Sequence, residues 1–155
     1  MENNQLAFDF ALQTNRSLFL TGKAGTGKTT FLHHLKTSTN KQIAVVAPTG
    51  VAAINAGGTT MHSFFQLPFT PFFPTPEGRK DLIGKTKMQE HRRRVLRELE
   101  VLVIDEISMV RADLLDAVDC VLRHFRYRNN EPFGGVQLIF IGDMFQLSPV
   151  ASDEE

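Results

Sequence analysis

Four short apolar runs divide the chain, and each of them ends at a glycine, a proline or an acidic residue. The runs cover residues 17–22, 43–48, 101–106 and 136–143. Continuous apolar runs of this length are typical of strands that are buried on both faces of a parallel sheet. The pattern therefore predicts four buried strands whose ends carry turn-forming or charged residues.

Stretches with helical periodicity lie between these runs, at residues 29–36, 51–56, about 88–98 and 112–127. The last stretch has an apolar stripe on one side and charged residues on the other. The stripe is formed by Leu114, Val118, Val121, Leu122 and Phe125, and the opposite side by Asp113, Asp116, Asp119 and Arg123. Strands that alternate with helices predict an α/β fold with a mostly parallel sheet, whose binding groups gather beyond the carboxyl ends of the strands.

Residues 64–78 interrupt this alternation, because they hold five of the 13 phenylalanines and four of the seven prolines. Proline at this density is incompatible with a helix or a central strand, so we expect an irregular insertion that extends over about residues 64–87. Phe64 and Phe65 are expected to pack in the core. Residues 69–74 have two open interpretations: they stack on nucleic-acid bases as part of a strand-separating wedge, or they pack on protein.

Composition narrows the class of protein. The 155 residues amount to one domain, and 17 basic and 17 acidic residues give a net charge of zero. This balance argues against a tight, salt-driven nucleic-acid clamp, although local contacts to a strand remain compatible with it. The single cysteine, Cys120, excludes an internal disulfide and is expected to be buried and inert. A polar start and the lack of a membrane-length apolar run predict a cytoplasmic protein with no targeting signal and no membrane partner.

The first apolar run leads into GKAGTGKT, residues 22–29. The sequence fits G-x-x-x-x-G-K-[ST], in which backbone N–H groups surround the phosphates, the lysine reaches the β- and γ-phosphates and the hydroxyl binds Mg²⁺. In this sequence the lysine is Lys28 and the hydroxyl belongs to Thr29. The alternative is a flexible Gly-Thr loop that binds no phosphate. The residues expected to surround the nucleotide are Gly22, Ala24, Gly25, Thr26, Gly27, Lys28, Thr29 and Thr30.

Two further strand ends carry candidate catalytic groups. Asp105, which ends the third run, can hold Mg²⁺ directly or through water, and Glu106 can orient and deprotonate the attacking water. The alternative is that the two carboxylates only cap the helix that starts near Arg111. Gln146, beyond the fourth run, can contact the γ-phosphate and act as a sensor located between the phosphate loop and the acidic pair.

Several segments together resemble the PIF-type (petite integration frequency) helicases, which are superfamily-one DNA helicases of 5′-to-3′ polarity related to the RecD group. The segments are TGKAGTGKTTFL, APTGVAAINAGGTTMHSFF, VLVIDEISMV, PFGGVQLIF and GDMFQLSPV, which are similar to helicase motifs one, one-a, two and three. The resemblance implies a P-loop NTPase domain with a RecA-like three-layer α/β/α fold. It also implies ATP and Mg²⁺ as cofactors, single-stranded DNA and duplex junctions as partners, and roles in DNA repair, DNA recombination and telomere maintenance.

The resemblance assigns roles to individual residues. Lys28, Glu106 and Gln146 would be catalytic, and Thr29 and Asp105 would bind the metal. Gln5 lies where these helicases place a glutamine that reads adenine, with an ordinary surface glutamine as the alternative. The residues expected to contact single-stranded DNA are Pro48, Thr49, Gly50, Thr60, His62 and Phe69, of which Thr60 and His62 match the family's T-x-H element. The arginine-rich segments 91–100 and 123–130 are expected to be solvated helical faces. The alternative is that arginines such as Arg93, Arg94 and Arg97 contact DNA or another domain.

Motifs four to six of such helicases, and their second RecA-like domain, have no counterpart in residues 1–155. We therefore expect an incomplete first motor domain, the N-terminal part of a helicase that is naturally short or truncated. By itself this chain should be monomeric and nearly inactive, because arginines from the second domain normally reach the γ-phosphate. The whole protein is expected in a bacterial-type cytoplasm in association with the nucleoid. A stand-alone P-loop nucleotide-binding module without unwinding activity is the alternative.

Overall fold

The computed structural model describes residues 2–21 and 27–143, and for residues 2–4 it describes the backbone only. The strands of this part of the chain form one parallel sheet in the order β1-β5-β4-β2-β3. They are β1 (Leu18–Thr21), β2 (Ile43–Ala47), β3 (Thr59–Thr60), β4 (Val101–Ile104) and β5 (Gln137–Gly142). Each of the four apolar runs is therefore a strand, as predicted. The short β3 had no signal in the apolar pattern, since it consists of two threonines that pair with Val46 and Ala47.

Helices follow or connect the strands. They are α1 (Glu2–Gln13), α2 (Lys28–Ser38), α3 (Gly50–Ala56), α4 (Met61–Phe65), α5 (Pro76–Lys85), α6 (Glu90–Glu98) and α7 (Ala112–Phe125). Helices α2, α3, α6 and α7 match the predicted periodic stretches. None of the described helices is both long and apolar enough to cross a bilayer.

The prediction of an irregular insertion over residues 64–87 is wrong in two places. Helix α4 continues to Phe65, and α5 occupies Pro76–Lys85. Pro76 is at the first turn of α5, where a missing N–H costs no hydrogen bond, and the Thr75 hydroxyl accepts a hydrogen bond from the Gly78 N–H (3.0 Å). The proline that counted against a helix in the sequence is thus the residue that begins one. The other three prolines of residues 64–78, which are Pro68, Pro71 and Pro74, lie in the connection between α4 and α5.

Side chains from both faces of the sheet form the core. On one face α4, α6 and α7 cover β2, β4 and β5, with Leu96, Val118, Val121 and Leu122 fully buried. On the other face α1 and α2 cover β1, β5 and β4, with Leu35, Ile139 and Ile141 among the buried residues. This is the predicted three-layer α/β/α arrangement. The α7 stripe and the burial of Phe64 and Phe65 are confirmed, whereas Cys120 is half-buried, and burial raises the pKa of its thiol.

Arg126 corrects the prediction that residues 123–130 form a solvated face. Its guanidinium donates hydrogen bonds to the carbonyl oxygens of Leu96 (2.6 Å), Leu99 (2.6 Å) and Gly134 (2.8 Å). The side chain therefore ties the end of α6 and the loop before β5 to the end of α7. Partial burial lowers the pKa of the Arg126 guanidinium, which keeps its charge because an arginine pKa is so high.

Candidate active site

The phosphate-loop sequence lies between a strand and a helix, as predicted. Strand β1 ends at Thr21 and α2 begins at Lys28, directly after Gly27. Gly27 has a φ of 89°, a left-handed conformation that glycine adopts without strain, and its carbonyl oxygen accepts a hydrogen bond from the Phe31 N–H (2.9 Å). The last glycine of the motif thus turns the chain into α2. Gly22, Ala24, Gly25 and Thr26 lie outside the described residues, as does Gln146.

The candidate acidic pair lies beside Lys28. The Asp105 N–H donates to the Val46 carbonyl (2.9 Å) at the end of the sheet, and Asp105 Oδ1 accepts a hydrogen bond from the Glu106 N–H (2.9 Å). Lys28 is near enough to act electrostatically on both carboxylates. The structure therefore brings together three of the residues that the sequence predicted for one site.

Burial sets the proton affinity of the pair. It raises the pKa of Asp105, against the smaller effects of the Glu106 N–H and Lys28. Burial also raises the pKa of Glu106, and the charges of Asp105 and Asp143 act in the same direction while Lys28 opposes them. A carboxylate with a raised pKa is a better proton acceptor, so this environment suits Glu106 for activating a water molecule.

Glu106 is also conformationally strained. Its φ of 55° and ψ of 45° lie in the left-handed region, which is uncommon for residues other than glycine and is often found at functional sites. A one-turn 3₁₀ helix, Ile107–Met109, follows immediately. The sequence left open that the two carboxylates cap the helix near Arg111. That helix is α7, its N-cap residue is Arg111, and no side-chain hydrogen bond caps it.

Strand β5 separates the strand that leads to the phosphate loop from the strand that leads to the acidic pair. Thr21 at the end of β1 pairs with Gly142, and Ile104 at the end of β4 pairs with Phe140. Asp143, which follows β5, is buried, and its charge contributes to raising the pKa of Glu106. The segment after β5 thus begins between the two halves of the site, which is the location expected for a sensor.

The residues present fit a magnesium-bound nucleotide. Mg²⁺ prefers oxygen ligands and is commonly held by one or two protein oxygens together with phosphates. Thr29, in the first turn of α2, and Asp105 supply a hydroxyl and a carboxylate, and Lys28 lies beside the carboxylate. A divalent cation would also offset the cost of burying the Asp105 charge. Thr30 is exposed on the next position of α2.

Gln5 is exposed on α1, and its amide donates a hydrogen bond to Asp9 Oδ1 (3.0 Å). Helix α1 packs on α2 and β1, so it lies next to the phosphate-loop elements. Its role in reading adenine stays a prediction.

The candidate DNA contacts follow the neighbouring strands β2 and β3. The Thr49 hydroxyl oxygen caps α3 by accepting a hydrogen bond from the Ala52 N–H (3.2 Å), and the Thr60 hydroxyl caps α4 by accepting one from the Ser63 N–H (3.2 Å). Within the part of the chain that the structure describes, neither hydroxyl donates a hydrogen bond, so each can donate one to a phosphate oxygen. Pro48 and Gly50 flank Thr49, and because Ala47 pairs with Thr60, the two threonines lie at the same edge of the sheet.

His62 and Phe69 form a stacked pair beside this edge. Their ring centroids are 4.6 Å apart and the rings are nearly parallel, at 15°. Phe69 is 88% exposed, although its ring is already oriented by His62. Burial lowers the pKa of His62, with Asp113 opposing the shift, so the imidazole is neutral at physiological pH and offers a flat surface rather than a charge.

Asp113 is a residue that the sequence analysis did not place in the site. Its Oδ1 accepts a hydrogen bond from Arg111 Nε (2.9 Å), and its Oδ2 accepts one from the Phe72 N–H (3.2 Å). It therefore fastens the loop that carries Phe69 to the segment that follows the acidic pair. No local signal marked it, because its partner Phe72 is 41 residues away.

These features define a class of protein. A phosphate loop between a strand and a helix, an acidic pair two strands away, and a parallel three-layer sheet are the features of a P-loop ATPase with a RecA-like fold. The family model described as PIF1-like helicase matches residues 5–155. The chain belongs to the PIF1-like helicase family.

Comparison with individual proteins agrees with this assignment. The chain is 42% identical over 149 residues to the ATP-dependent DNA helicase PIF1 of Saccharomyces cerevisiae, and 39% identical over 148 residues to that of Psychrobacter. The matches cover 91% and 93% of this chain but only 16% and 21% of those relatives.

Solved structures match over the whole chain. Pif1 helicase from Bacteroides in complex with ADP-AlF3 and single-stranded DNA superposes with a TM-score of 0.89 at 48% identity, and the match covers 100% of this chain and 34% of that one. Pif1 helicase from Candida albicans gives a TM-score of 0.83 at 40% identity, with 99% and 34% covered. The chain thus spans about a third of the length of these solved helicases.

Proposed function

We propose that the protein containing this chain uses the hydrolysis of Mg-ATP to move 5′-to-3′ along single-stranded DNA and to unwind duplex DNA. The proposal rests on one observation: Lys28 lies beside Asp105 and Glu106 at the carboxyl edge of the sheet. A lysine at the start of the helix after a phosphate loop neutralises phosphate charge. A half-buried carboxylate of raised pKa at the same edge can accept a proton from water.

Each residue has a defined task in this proposal. Lys28 binds the β- and γ-phosphates, while Thr29 and Asp105 hold the metal that accompanies them. Glu106 orients the attacking water and takes its proton. Gln5 contacts adenine, and Gln146 senses the γ-phosphate. The bound Mg-ATP supplies the electrophilic phosphorus and the free energy of hydrolysis.

Single-stranded DNA lies, in this proposal, across the ends of β2 and β3. The hydroxyls of Thr49 and Thr60 donate to phosphate oxygens, and the exposed His62–Phe69 pair offers a stacking surface for a base. Contacts of this kind bind DNA without reading its sequence, and they need no excess of positive charge. A solved relative is described as Pif1 bound to single-stranded DNA, and another as coordinating pairs at forked duplex DNA, which supports these partners.

The proposal extends to the cellular setting and the oligomeric state of the protein. We propose a cytoplasmic, nucleoid-associated helicase that serves repair and recombination, with telomere maintenance as the use implied where chromosomes are linear. We also propose a monomer as the basic unit. One solved relative is described as two coordinating Pif1 helicases at forked duplex DNA. Sedimentation with and without forked DNA should therefore measure whether this protein stays a monomer when it binds DNA.

The test is phosphate release by the protein expressed from its complete reading frame, with and without single-stranded DNA. Lys28→Ala should abolish binding of a fluorescent ATP analogue, whereas Lys87→Ala, which alters an exposed lysine away from the site, should not. Glu106→Gln should keep nucleotide binding and reduce turnover by about 10²–10⁴-fold. Binding without DNA-stimulated turnover in the unmodified protein would favour the alternative of a nucleotide-binding module.

A further inference from the structure

A cavity of about 250 Å³ lies between the loop that carries Phe69, α5 and α7. No step of the proposed ATP hydrolysis uses it. Its walls are mainly apolar, and they are formed by the prolines and phenylalanines of residues 68–73, by Leu82 of α5 and by Leu114 and Ala117 of α7. Sites for drug-sized ligands are concave, mostly apolar and about 300–1,000 Å³ in volume. This cavity therefore has the character of a binding site for a smaller group.

The charged side chains that line the cavity form two ion pairs among the described residues. Asp81 and Lys85 of α5 make an exposed pair (2.9 Å), and Asp113 and Arg111 make a more enclosed one (2.9 Å). The two carboxylates and the two cations leave the lining without net charge. Because an uncompensated charge is costly to bury, the cavity suits a neutral group rather than a phosphate or an amine.

The walls also favour a flat ring with N–H donors. The stacked rings of His62 and Phe69 line the cavity, and Phe72 contributes a further ring. Each oxygen of the Asp113 carboxylate accepts one hydrogen bond, from Arg111 Nε (2.9 Å) or from the Phe72 N–H (3.2 Å), and has a second lone pair for another donor. A nucleobase is a flat, neutral ring with N–H groups on its edge, and single-stranded bases commonly stack on aromatic side chains.

We propose that this cavity receives one base of the bound single strand, turned out from between its neighbours. The strand is already beside it, because His62 lines the cavity and lies two residues after Thr60, a proposed phosphate contact. The phosphates stay outside, since the lining offers them no net positive charge. All four bases have a flat ring and an N–H donor, so the cavity needs no particular sequence. The inference rests on the proposed binding of single-stranded DNA.

The first measurement uses the unmodified protein, expressed from its complete reading frame, and oligonucleotides that lack a single base at successive positions. Loss of the base that enters the cavity should weaken binding by about fivefold to tenfold, the low end of what one stacked base contributes. Loss of a base elsewhere should change the affinity by less than about twofold. Fluorescence anisotropy at fixed salt measures the series. Equal affinities at every position would overturn the inference.

Two variants fill the cavity. Leu114→Phe adds volume from α7, and Asp81→Phe adds it from an exposed position of α5, where the core is not disturbed. Ile83→Phe is the matched control, because Ile83 of α5 lines a neighbouring groove and not this cavity. Both filling variants should bring the ratio of the affinities for the intact and the base-lacking oligonucleotide from about 5–10 to about 1, and the control should keep it. The ratio is insensitive to general changes in charge, since the two oligonucleotides have the same phosphates.

Other outcomes separate the inference from the function on which it rests. A position effect that survives in both filling variants and disappears in Phe69→Ala would place the base on the exposed face of Phe69 and overturn the cavity. If Leu114→Phe does not fold, Asp81→Phe alone decides. DNA-stimulated ATP turnover without a position effect would reject the cavity and keep the motor. A position effect without DNA-stimulated turnover would reject the motor and keep the cavity.

Discussion

Gly142, the last residue of β5, lies in direct contact with Ile107 in the loop that carries the acidic pair. A Cβ built on Gly142 would be 2.8 Å from Ile107 Cγ2 and 3.2 Å from the Ile107 nitrogen. The second contact is with backbone, which cannot move aside without moving Glu106. The absence of a side chain at Gly142 therefore fixes where the candidate base lies.

We predict that Gly142→Ala will reduce ATP turnover by at least tenfold while nucleotide binding by Lys28 is largely kept. The reason is that the added methyl group would meet Ile107 and displace the loop that carries Glu106, whereas its nearest neighbours include no atom of α2. Gly84→Ala is the matched control, because a Cβ there would have no neighbour within 4 Å. The measurement is single-turnover hydrolysis beside a binding titration. Normal hydrolysis in Gly142→Ala would mean that the contact does not position Glu106.

The raised pKa of Glu106 leads to a prediction about stability. Folding raises the pKa of this carboxyl, so the folded protein binds the proton more tightly than the unfolded chain does. Stability therefore falls as the pH rises from the ordinary glutamate pKa, about 4.3, through the raised value. Replacing the Glu106 carboxylate with a neutral group should therefore remove this pH-dependent loss of stability.

Glu106→Gln should accordingly unfold about 1–2 °C above the unmodified protein at pH 7, a small effect because the side chain is only half-buried. The difference should shrink as the pH is lowered toward 4. Thermal unfolding across this pH range, with Glu98→Gln as an exposed control, provides the measurement. A difference that grows as the pH falls would show that the pKa is shifted in the other direction.

The sequence predicted those parts of the molecule whose signals are local. The apolar runs became β1, β2, β4 and β5, and Gly27 and Lys28 of the phosphate-loop motif lie at the start of the helix that follows β1. The acidic pair was predictable because β4 ends where its apolar run ends. Such features depend on neighbouring residues, which a sequence shows directly.

Features that depend on distant partners were missed. Asp113 appeared to belong to a solvent-facing side of α7, yet it bonds to Phe72, and Arg126 in a supposedly solvated segment bonds to the carbonyl of Leu96, 30 residues earlier. Proline content concealed α5, because the effect of Pro76 depends on whether it begins a helix or interrupts one. The left-handed backbone conformation of Glu106 has no sequence signal, because the residue is not a glycine.

Arg126 leads to a prediction about folding rather than catalysis. Its guanidinium donates hydrogen bonds to the carbonyl oxygens of Leu96, Leu99 and Gly134. The donors of a guanidinium lie in one plane at fixed separations, and the ammonium group of a lysine cannot reproduce this geometry. We predict that Arg126→Ala will lower the free energy of unfolding by about 2–3 kcal/mol, since it leaves half-buried carbonyl groups unpaired. Arg126→Lys should recover less than half of the loss. Urea unfolding measures both, with the exposed Arg94→Ala as the control, and a fully stable lysine variant would contradict the argument.

The last prediction concerns the stacked pair of His62 and Phe69. Phe69 and Phe73 lie in the same loop and are both exposed, 88% and 67% respectively, but only Phe69 has its ring aligned by a neighbouring ring among the described residues. If this pair receives a base, Phe69→Ala should weaken binding of single-stranded DNA by about fivefold to tenfold, the low end of what one stacked base contributes.

Phe73→Ala should leave the affinity within about twofold, and Phe69→Tyr, which keeps an aromatic ring, should restore most of it. Because His62 holds the Phe69 ring in place, His62→Ala and the double variant should lose about as much as Phe69→Ala rather than twice as much. Fluorescence anisotropy with an unstructured oligonucleotide at fixed salt measures all of these affinities. Equal losses for Phe69→Ala and Phe73→Ala would indicate a diffuse apolar surface, and no loss for Phe69→Ala would place the DNA elsewhere on the domain.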